Sequence, residues 1–275
     1  MKAQLQIAVA QLQSTPDIEH NLNTMRSMVE RAAQRGCDLI MFPECAPQMR
    51  PDKERVHESE SLEGKQVSFC RDLCVKHGIG LLLGSFAEKR PEDPARFSNT
   101  LVFIDRAGEI VASYRKIHLF EAWMDGKRTH HEAGTVMAGP AKPIVAAFEG
   151  WNFGLSICYD LRFPELYRLL VDAGAHVLCV PSAFTYETGA AHWETLLRAR
   201  AIENTRYVIA PAQTRENYPG RRTWGHSMAV APWGEVIGQI GHDPGFFIVD
   251  LHRETLQLAE DRNPSLKNRV FQHIS

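Results

Sequence analysis

An α/β fold with mixed sheets is predicted by three features of this 275-residue sequence. Strand-like and helix-like segments alternate through the first third of the chain and again after residue 150, the pattern of parallel crossovers. Hairpin signals at Asp105-Arg106-Ala107-Gly108 and at Glu149-Gly150 require antiparallel pairs as well. A hydrophobic content of 44% suffices for a substantial core.

Residues 4–11 alternate apolar with polar, as a strand does. Residues 21–33 then space Leu22, Met25, Met28, Val29, Ala32 and Ala33 helically, and Gly36 ends that helix. A short strand over 39–42 runs into Pro43-Glu44. A helix over 64–77 leads to the nearly continuous apolar run 79–86, read as a strand covered on both faces. Strands over 97–104 and 109–113 follow, and the second opens into Tyr114-Arg115-Lys116-Ile117-His118-Leu119-Phe120. Residues 121–140 read as a long polar connection, and loops of that length in a compact domain usually serve function or are disordered. Strands over 143–148 and 151–157 come next. The second half continues with a helix over 164–173, a strand over 176–181, a helix over 189–204 and a strand over 207–212. A polar loop over 217–224, two strands about the Pro232-Trp233-Gly234 turn, a strand over 245–251 and a helix over 254–260 complete the globule. Residues 1–260 are expected to form a single domain, with 261–275 a polar tail that is frayed or held at a subunit interface.

Charge excludes some partners. With 31 Lys plus Arg against 33 Asp plus Glu, a formal net charge of -2 offers no footprint for nucleic acid or an anionic membrane. No run approaches the roughly 20 apolar residues of a membrane span. The N-terminus lacks the pattern of a secretory signal, so a cytoplasmic location is expected. Six scattered cysteines in such a chain are expected to be reduced, and no spacing suits a metal site.

The chemistry concentrates at three strand ends. Cys158 falls between the strand over 151–157 and a helix that Pro164-Glu165 begins, so its thiol is expected at the carboxyl edge of a sheet, near free backbone N–H groups. Glu44 and Lys116 each follow a strand too. A carboxylate, a fixed cation and a thiol together suit amide hydrolysis. The thiol attacks the carbonyl carbon, the carboxylate moves its proton to the leaving nitrogen, and the cation holds the oxyanion. A Cys–His arrangement remains open on chemistry alone, since the chain has 12 histidines.

The segments MFPE around Glu44, YRKIHLF around Lys116 and ICYDLRFPE around Cys158 resemble, in order and over essentially the whole chain, those of the nitrilase superfamily of carbon-nitrogen hydrolases. The resemblance implies an αββα sandwich that stacks into a four-layer homodimer, with no metal or organic cofactor. It also implies Glu44 as general base, Lys116 as stabiliser of the tetrahedral intermediate, Cys158 as nucleophile, and Glu132, in HHEAGTVMAGP, as a second glutamate holding Lys116. PSAFTYETGAAHWETLLRARAIEN, YVIAPAQ and GHSMAVAPWGEV resemble the deaminated-glutathione amidase branch. The expected activity is hydrolysis of a terminal carboxamide of a small anionic substrate to carboxylate and ammonia, with deaminated glutathione the expected substrate. An ω-amidase acting on 2-oxoglutaramate, another small-amide or nitrile hydrolase, and an inactive binding module are the alternatives.

Substrate contacts are expected from Tyr159, through its backbone N–H, and from Phe184 and Thr185. Arg162 is open between a substrate carboxylate and an ion pair with Asp160. Lys127, Arg128, His130 and His131 in one loop and Arg221 with Arg222 in another are expected to ring the entrance for an anionic tail, or to be solvated charge. His192 and Trp193 are expected in the core or an interface, and Arg200 and Asn204 as structural anchors.

Overall fold

The computed structural model describes residues 2–124 and 127–271, and side chains are described for these residues except 123, 124 and 127–130. In chain order the strands are β1 (Gln4–Leu12), β2 (Leu39–Met41), β3 (Gly80–Lys89), β4 (Phe97–Ile104), β5 (Ile110–Arg115), β6 (Glu121–Met124), β7 (Lys127–His131), β8 (Val145–Phe148), β9 (Trp151–Leu155) and β10 (Val177–Cys179). After them come β11 (Tyr207–Ala210), β12 (Ala212–Tyr218), β13 (Arg221–Trp224), β14 (Met228–Val230), β15 (Val236–Gln239) and β16 (Gly245–His252). The α-helices are α1 (Ile18–Gln34), α2 (Asp52–Arg55), α3 (Lys65–His77), α4 (Pro164–Asp172), α5 (Tyr186–Asn204) and α6 (Arg253–Arg262).

Two sheets carry the fold. One runs β13-β12-β1-β2-β3-β4-β5, with β16 antiparallel along β1, and the other runs β15-β14-β11-β10-β9-β8. Parallel crossovers join β1 to β2 and β2 to β3, and likewise β9 to β10 and β10 to β11. The outer strands pair antiparallel, so both sheets are mixed as expected.

Side-chain alternation sets the layers. Leu5, Ile7 and Val9 of β1 join Leu39, Met41 and Phe103 in a core shared with Phe153 and Leu155 of the second sheet. Ala8, Ala10 and Leu12 face the other way, onto Met25, Met28 and Val29 of α1 and Cys70, Leu73 and Cys74 of α3. Because successive strand residues point to opposite faces, β1 serves two cores at once. The alternation read over residues 4–11 is thus an interior strand from Leu5 onward. On the far side the second sheet packs against Leu166, Tyr167 and Leu170 of α4 and Trp193, Leu197 and Ala201 of α5, which completes an αββα sandwich.

Two expectations change, and one element is added. Residues 121–140 are not one long connection, because β6 and β7 pair as a hairpin (Glu121 with His131, Ala122 with His130) and a 3₁₀ turn follows over Glu132–Gly134. Residues 217–224 are likewise a hairpin rather than a loop, with β12 and β13 paired on either side of Pro219-Gly220. Residues 52–58, which carry no apolar period, form α2 and a 3₁₀ turn over Val56–Glu58. No helix among the described residues is long and apolar enough to cross a membrane.

Candidate active site

Glu44, Lys116 and Cys158 meet at the ends of strands from both sheets and line one cavity of about 390 Å³. Three backbone constraints deliver them there. Glu44 leaves β2 on a turn whose next residue, Cys45, has φ 57° and donates its N–H to Ser85 Oγ at 2.9 Å. Strand β3 passes so close beneath this turn that a Cβ on Gly84 would lie 2.1 Å from the Phe42 carbonyl oxygen, so only glycine fits there. Lys116 follows β5 and is pinned by its own N–H to the Asn99 carbonyl at 2.9 Å. Cys158 opens a 3₁₀ turn, Cys158–Arg162, that α4 continues, and has φ 51°. Left-handed backbone at a non-glycine residue costs on the order of 1–3 kcal/mol and persists where its surroundings enforce it. Here the Cys158 N–H is held by the Pro181 carbonyl at 3.0 Å.

The side chains form one largely buried network. Glu44 Oε1 accepts from Asn99 Nδ2 at 2.8 Å and Lys116 Nζ at 3.2 Å, while Oε2 accepts from the Ala183 N–H at 2.8 Å. Lys116 Nζ also reaches both oxygens of Glu132, at 3.0 and 2.9 Å, and Glu132 is fixed by the Phe120 N–H at 2.6 Å. One cation thus bridges two carboxylates. The Cys158 thiol stands beside Glu44, near enough for each to shift the other's titration.

Burial and charge set the protonation states. Burial alone would raise the Glu44 carboxyl, but the Lys116 charge, the neighbouring Cys158 thiol and the bonds from Lys116 and Asn99 hold it below its ordinary value. Burial opposes the Lys116 charge, yet Glu132 and Glu44 keep the ammonium well above its usual range. Glu132 is raised, by burial and, against the pull of Lys116, by the Glu44 charge. The Cys158 thiol is pushed well up, first by burial and then by Glu44, with Lys116 opposing. The resting arrangement is therefore a neutral thiol beside a carboxylate able to take its proton.

Tyr159, Arg162, Phe184, Thr185 and Arg221 also line the cavity. Arg162 stands over the rings of Phe184 and Tyr159, 5.4 and 5.9 Å from their centroids, with His192 Nδ1 3.3 Å from Nη2. It forms no ion pair with Asp160 among the described residues, because that carboxylate is used elsewhere. Arg221 donates Nη2 to the Ala183 carbonyl at 2.9 Å. Arg222 is not brought to the cavity. It is exposed and lies over the Tyr186 ring, 3.9 Å from the centroid. The side chains of Lys127, Arg128 and His130 lie outside the described residues, whereas His131 lines the cavity. His192 is exposed rather than in the core; Trp193 is buried, with Nε1 donating to the His226 carbonyl at 2.8 Å. Arg200 donates Nε and Nη2 to the Leu161 carbonyl, at 3.1 and 2.8 Å, and so anchors the turn that carries Cys158. Among the described residues no group of three or more His, Cys, Asp or Glu side chains could hold a metal ion.

Sequence reasoning passed over Asn99 and Gln213, and took Asp160 only as a partner for Arg162. Asn99 and Gln213 are buried amides inside strands, and both serve the Glu44 turn: Gln213 Nε2 donates to the Glu44 carbonyl at 3.0 Å. A polar residue in an otherwise buried strand is the signal that could have found them. Asp160 is fully buried and accepts from the Ile157 N–H (2.8 Å), Tyr114 Oη (2.7 Å) and the His118 N–H (3.1 Å), with His118 Nδ1 at 2.7 Å. Tyr114 and His118 flank Lys116, so this one carboxylate ties the Lys116 segment to the Cys158 turn. Asp160→Asn places an amide where only an acceptor fits. It is expected to lower kcat on an amide substrate about tenfold or more with little change in KM, since misplacement of about 1 Å can cost 10²-fold. A variant that melts earlier while keeping its kcat would make Asp160 a fold residue alone.

Known proteins resemble this chain over nearly its full length. A protein of Synechocystis sp. named deaminated glutathione amidase is 38% identical over 265 residues, covering 96% of this chain and 97% of its own length. The crystal structure of the Caenorhabditis elegans NitFhit protein superposes with a TM-score of 0.93 at 37% identity, covering 98% of this chain and 66% of that longer one. A structure of an amidase mutant from Nesterenkonia sp. AN1, with acrylamide added at its active site cysteine, superposes with a TM-score of 0.78 at 28% identity, covering 96% of this chain and 98% of its own. The sandwich, the convergent strand ends and a carbon-nitrogen hydrolase family model that matches residues 6–261 lead to one assignment: the chain belongs to the carbon-nitrogen hydrolases.

Proposed function

We propose that this protein is a cysteine-dependent amidase acting on deaminated glutathione, with Cys158 as nucleophile, Glu44 as general base and acid, and Lys116 as the cation that Glu132 holds in place. The observation that carries the reading is the convergence of Cys158, Lys116 and Glu44 on one cavity, with the Lys116 ammonium in contact with the Glu44 carboxylate and the thiol beside it. The names of the relatives support the substrate, and the acrylamide adduct of the Nesterenkonia amidase supports the nucleophile.

As Cys158 Sγ bonds to the carbonyl carbon, its proton passes to Glu44 and the carbonyl electrons move onto oxygen. Lys116 Nζ and the Tyr159 N–H stabilise that oxyanion, since the Cys158 N–H is committed to Pro181. The tetrahedral intermediate collapses, the C–N bond breaks, and Glu44 delivers its proton to the departing nitrogen. Water, deprotonated by Glu44, then cleaves the thioester and returns the proton to sulfur. Deaminated glutathione has no terminal carboxamide, because its amide nitrogen carries the rest of the peptide. On this substrate the leaving group is accordingly an amine, and ammonia is the product only from a primary amide such as 2-oxoglutaramate.

Separation of acid and amine products from deaminated glutathione, with ammonia release from 2-oxoglutaramate measured beside it, tests the reading. A higher kcat/KM on deaminated glutathione supports it. Preference for 2-oxoglutaramate would move the protein to the ω-amidase alternative, and no turnover of either would defeat the proposed function. The raised thiol adds a pH expectation. Thiolate accumulates only as pH approaches the folded-state value, so iodoacetamide alkylation of Cys158, followed by peptide mass spectrometry, should show no plateau near the ordinary thiol value of about 8.5. A plateau there would mean a preformed thiolate. We take the working form to be a cytoplasmic homodimer with residues 261–271 at the interface; the rest of the tail, 272–275, lies outside the described residues. Support comes from the family resemblance and from the exposed apolar side chains Leu169, Ile202, Val270 and Phe271, and sedimentation would read the assembly.

A further inference from the structure

The cavity has two sides, and the amidase reading assigns them to the two halves of a substrate. Glu44 must hand a proton to the leaving nitrogen, so the amine half lies over the Glu44 turn. The acyl half lies over the turn that carries Cys158 and Arg162. A cation that sequence reasoning did not single out stands on the Glu44 side. Arg55 ends α2, is only 4% exposed, and lines the cavity. Its guanidinium stacks over Phe97, 4.7 Å from the ring centroid, and Nη1 reaches Asp52 Oδ1 at 3.3 Å. Among the described residues no acceptor meets Nε or Nη2, and neither nitrogen is sealed from solvent. Cys45, Asp52 and Glu44 are its electrostatic neighbours, and Tyr218 shares this wall with Arg221, Asp52, Cys45 and Arg55.

Packing fixes this side chain where a partner would be met. An aromatic stack on one face and a single long bond to a carboxylate leave an edge of the guanidinium open to the cavity, the geometry in which arginine takes a carboxylate through two parallel N–H bonds. A buried guanidinium so under-used is costly unless a ligand completes it. We propose that Arg55 recognises a carboxylate carried on the amine half of the substrate, and so selects amides of carboxylate-bearing amines over primary amides. This rests on the amidase reading and extends it, with Arg162 left to the acyl half.

Steady-state kinetics of the wild type, Arg55→Gln and Arg55→Lys on three substrates test the proposal: deaminated glutathione, the same molecule with its glycine carboxylate converted to a carboxamide, and 2-oxoglutaramate. For Arg55→Gln the ratio of kcat/KM on deaminated glutathione to that on the neutralised analogue is expected to fall roughly 10- to 100-fold, the worth of a charge-assisted bond, with most of the change in KM. Arg55→Lys should recover part of it. Equal loss on all three substrates would make Arg55 a support for the Glu44 turn and overturn the proposal, as would a ratio that does not move. Should Arg55→Gln fail to fold, Asp52→Asn decides: removing the competing carboxylate should lower KM for deaminated glutathione a few-fold relative to the analogue, and an unmoved ratio there overturns the proposal too. Wild-type protein that cleaves none of the three defeats the amidase reading and this inference with it, whereas active wild type with the wrong ratio defeats only the inference.

Discussion

Cys158→Ala is expected to abolish turnover while leaving the fold and melting temperature close to those of the wild type. The thiol is a small buried group, and alanine fits its space with no overpacking. Without sulfur there is no acyl intermediate. What remains is a Lys116 and backbone site that can polarise a carbonyl with nothing to attack it, and removal of a nucleophile in such a unit costs on the order of 10⁶-fold in kcat. Intact-protein mass spectrometry of the wild type with substrate should show an acyl adduct that maps to the peptide holding Cys158. Turnover by Cys158→Ala above the uncatalysed rate, or an adduct on Cys45, which lines the same cavity, would remove Cys158 as nucleophile.

Much of this site could be read from strand ends. Glu44, Lys116 and Cys158 each follow an apolar run, and the structure places β2, β5 and β9 so that all three residues face one cavity. What the sequence could not show was distance. Asn99 lies 55 residues from Glu44, and nothing local says that its amide will meet that carboxylate. The two missed hairpins have different causes. Residues 121–131 contain Asp125-Gly126, a dipeptide favoured in tight hairpin turns, but the flanking residues show no apolar alternation to prompt the reading. Residues 217–224 are polar because β13 is an edge strand, where pairing with β12 outweighs weak propensity. Arg221 and Arg222 carry a plainer lesson. Adjacent residues of a strand point to opposite faces, so once 221–224 is a strand only one of the pair can face the cavity. Arg55 escaped notice because α2 is four residues long and charged throughout, with no period to read.

Lys116→Gln is the second change expected to have a large effect, and it should act on both rate and stability. As an oxyanion donor its loss costs about 10²- to 10³-fold in kcat. The folded protein should suffer as well. A lysine that merely donated to substrate would be removed at little cost, but Lys116 lies between Glu44 at 3.2 Å and Glu132 at 2.9 Å, with Glu44 and Lys116 buried and Glu132 largely so. Taking away the cation leaves two carboxylates facing each other out of water, and breaking a buried ion pair in this way costs about 3–5 kcal/mol. The pH dependence identifies the cause. With Lys116 gone, both carboxyl groups hold protons in the folded state at pH values where the unfolded chain, near 4.3, has released them. The folded state then binds more protons, so stability falls as pH rises, and Lys116→Gln should regain much of its loss between pH 8 and pH 5. Adding Glu132→Gln should restore stability at pH 8 without restoring kcat. Urea unfolding of the three proteins at both pH values, beside steady-state kinetics, makes the test. A Lys116→Gln variant as stable as the wild type at pH 8 would mean that the two carboxylates already share a proton, and loss confined to KM would remove Lys116 from the transition state.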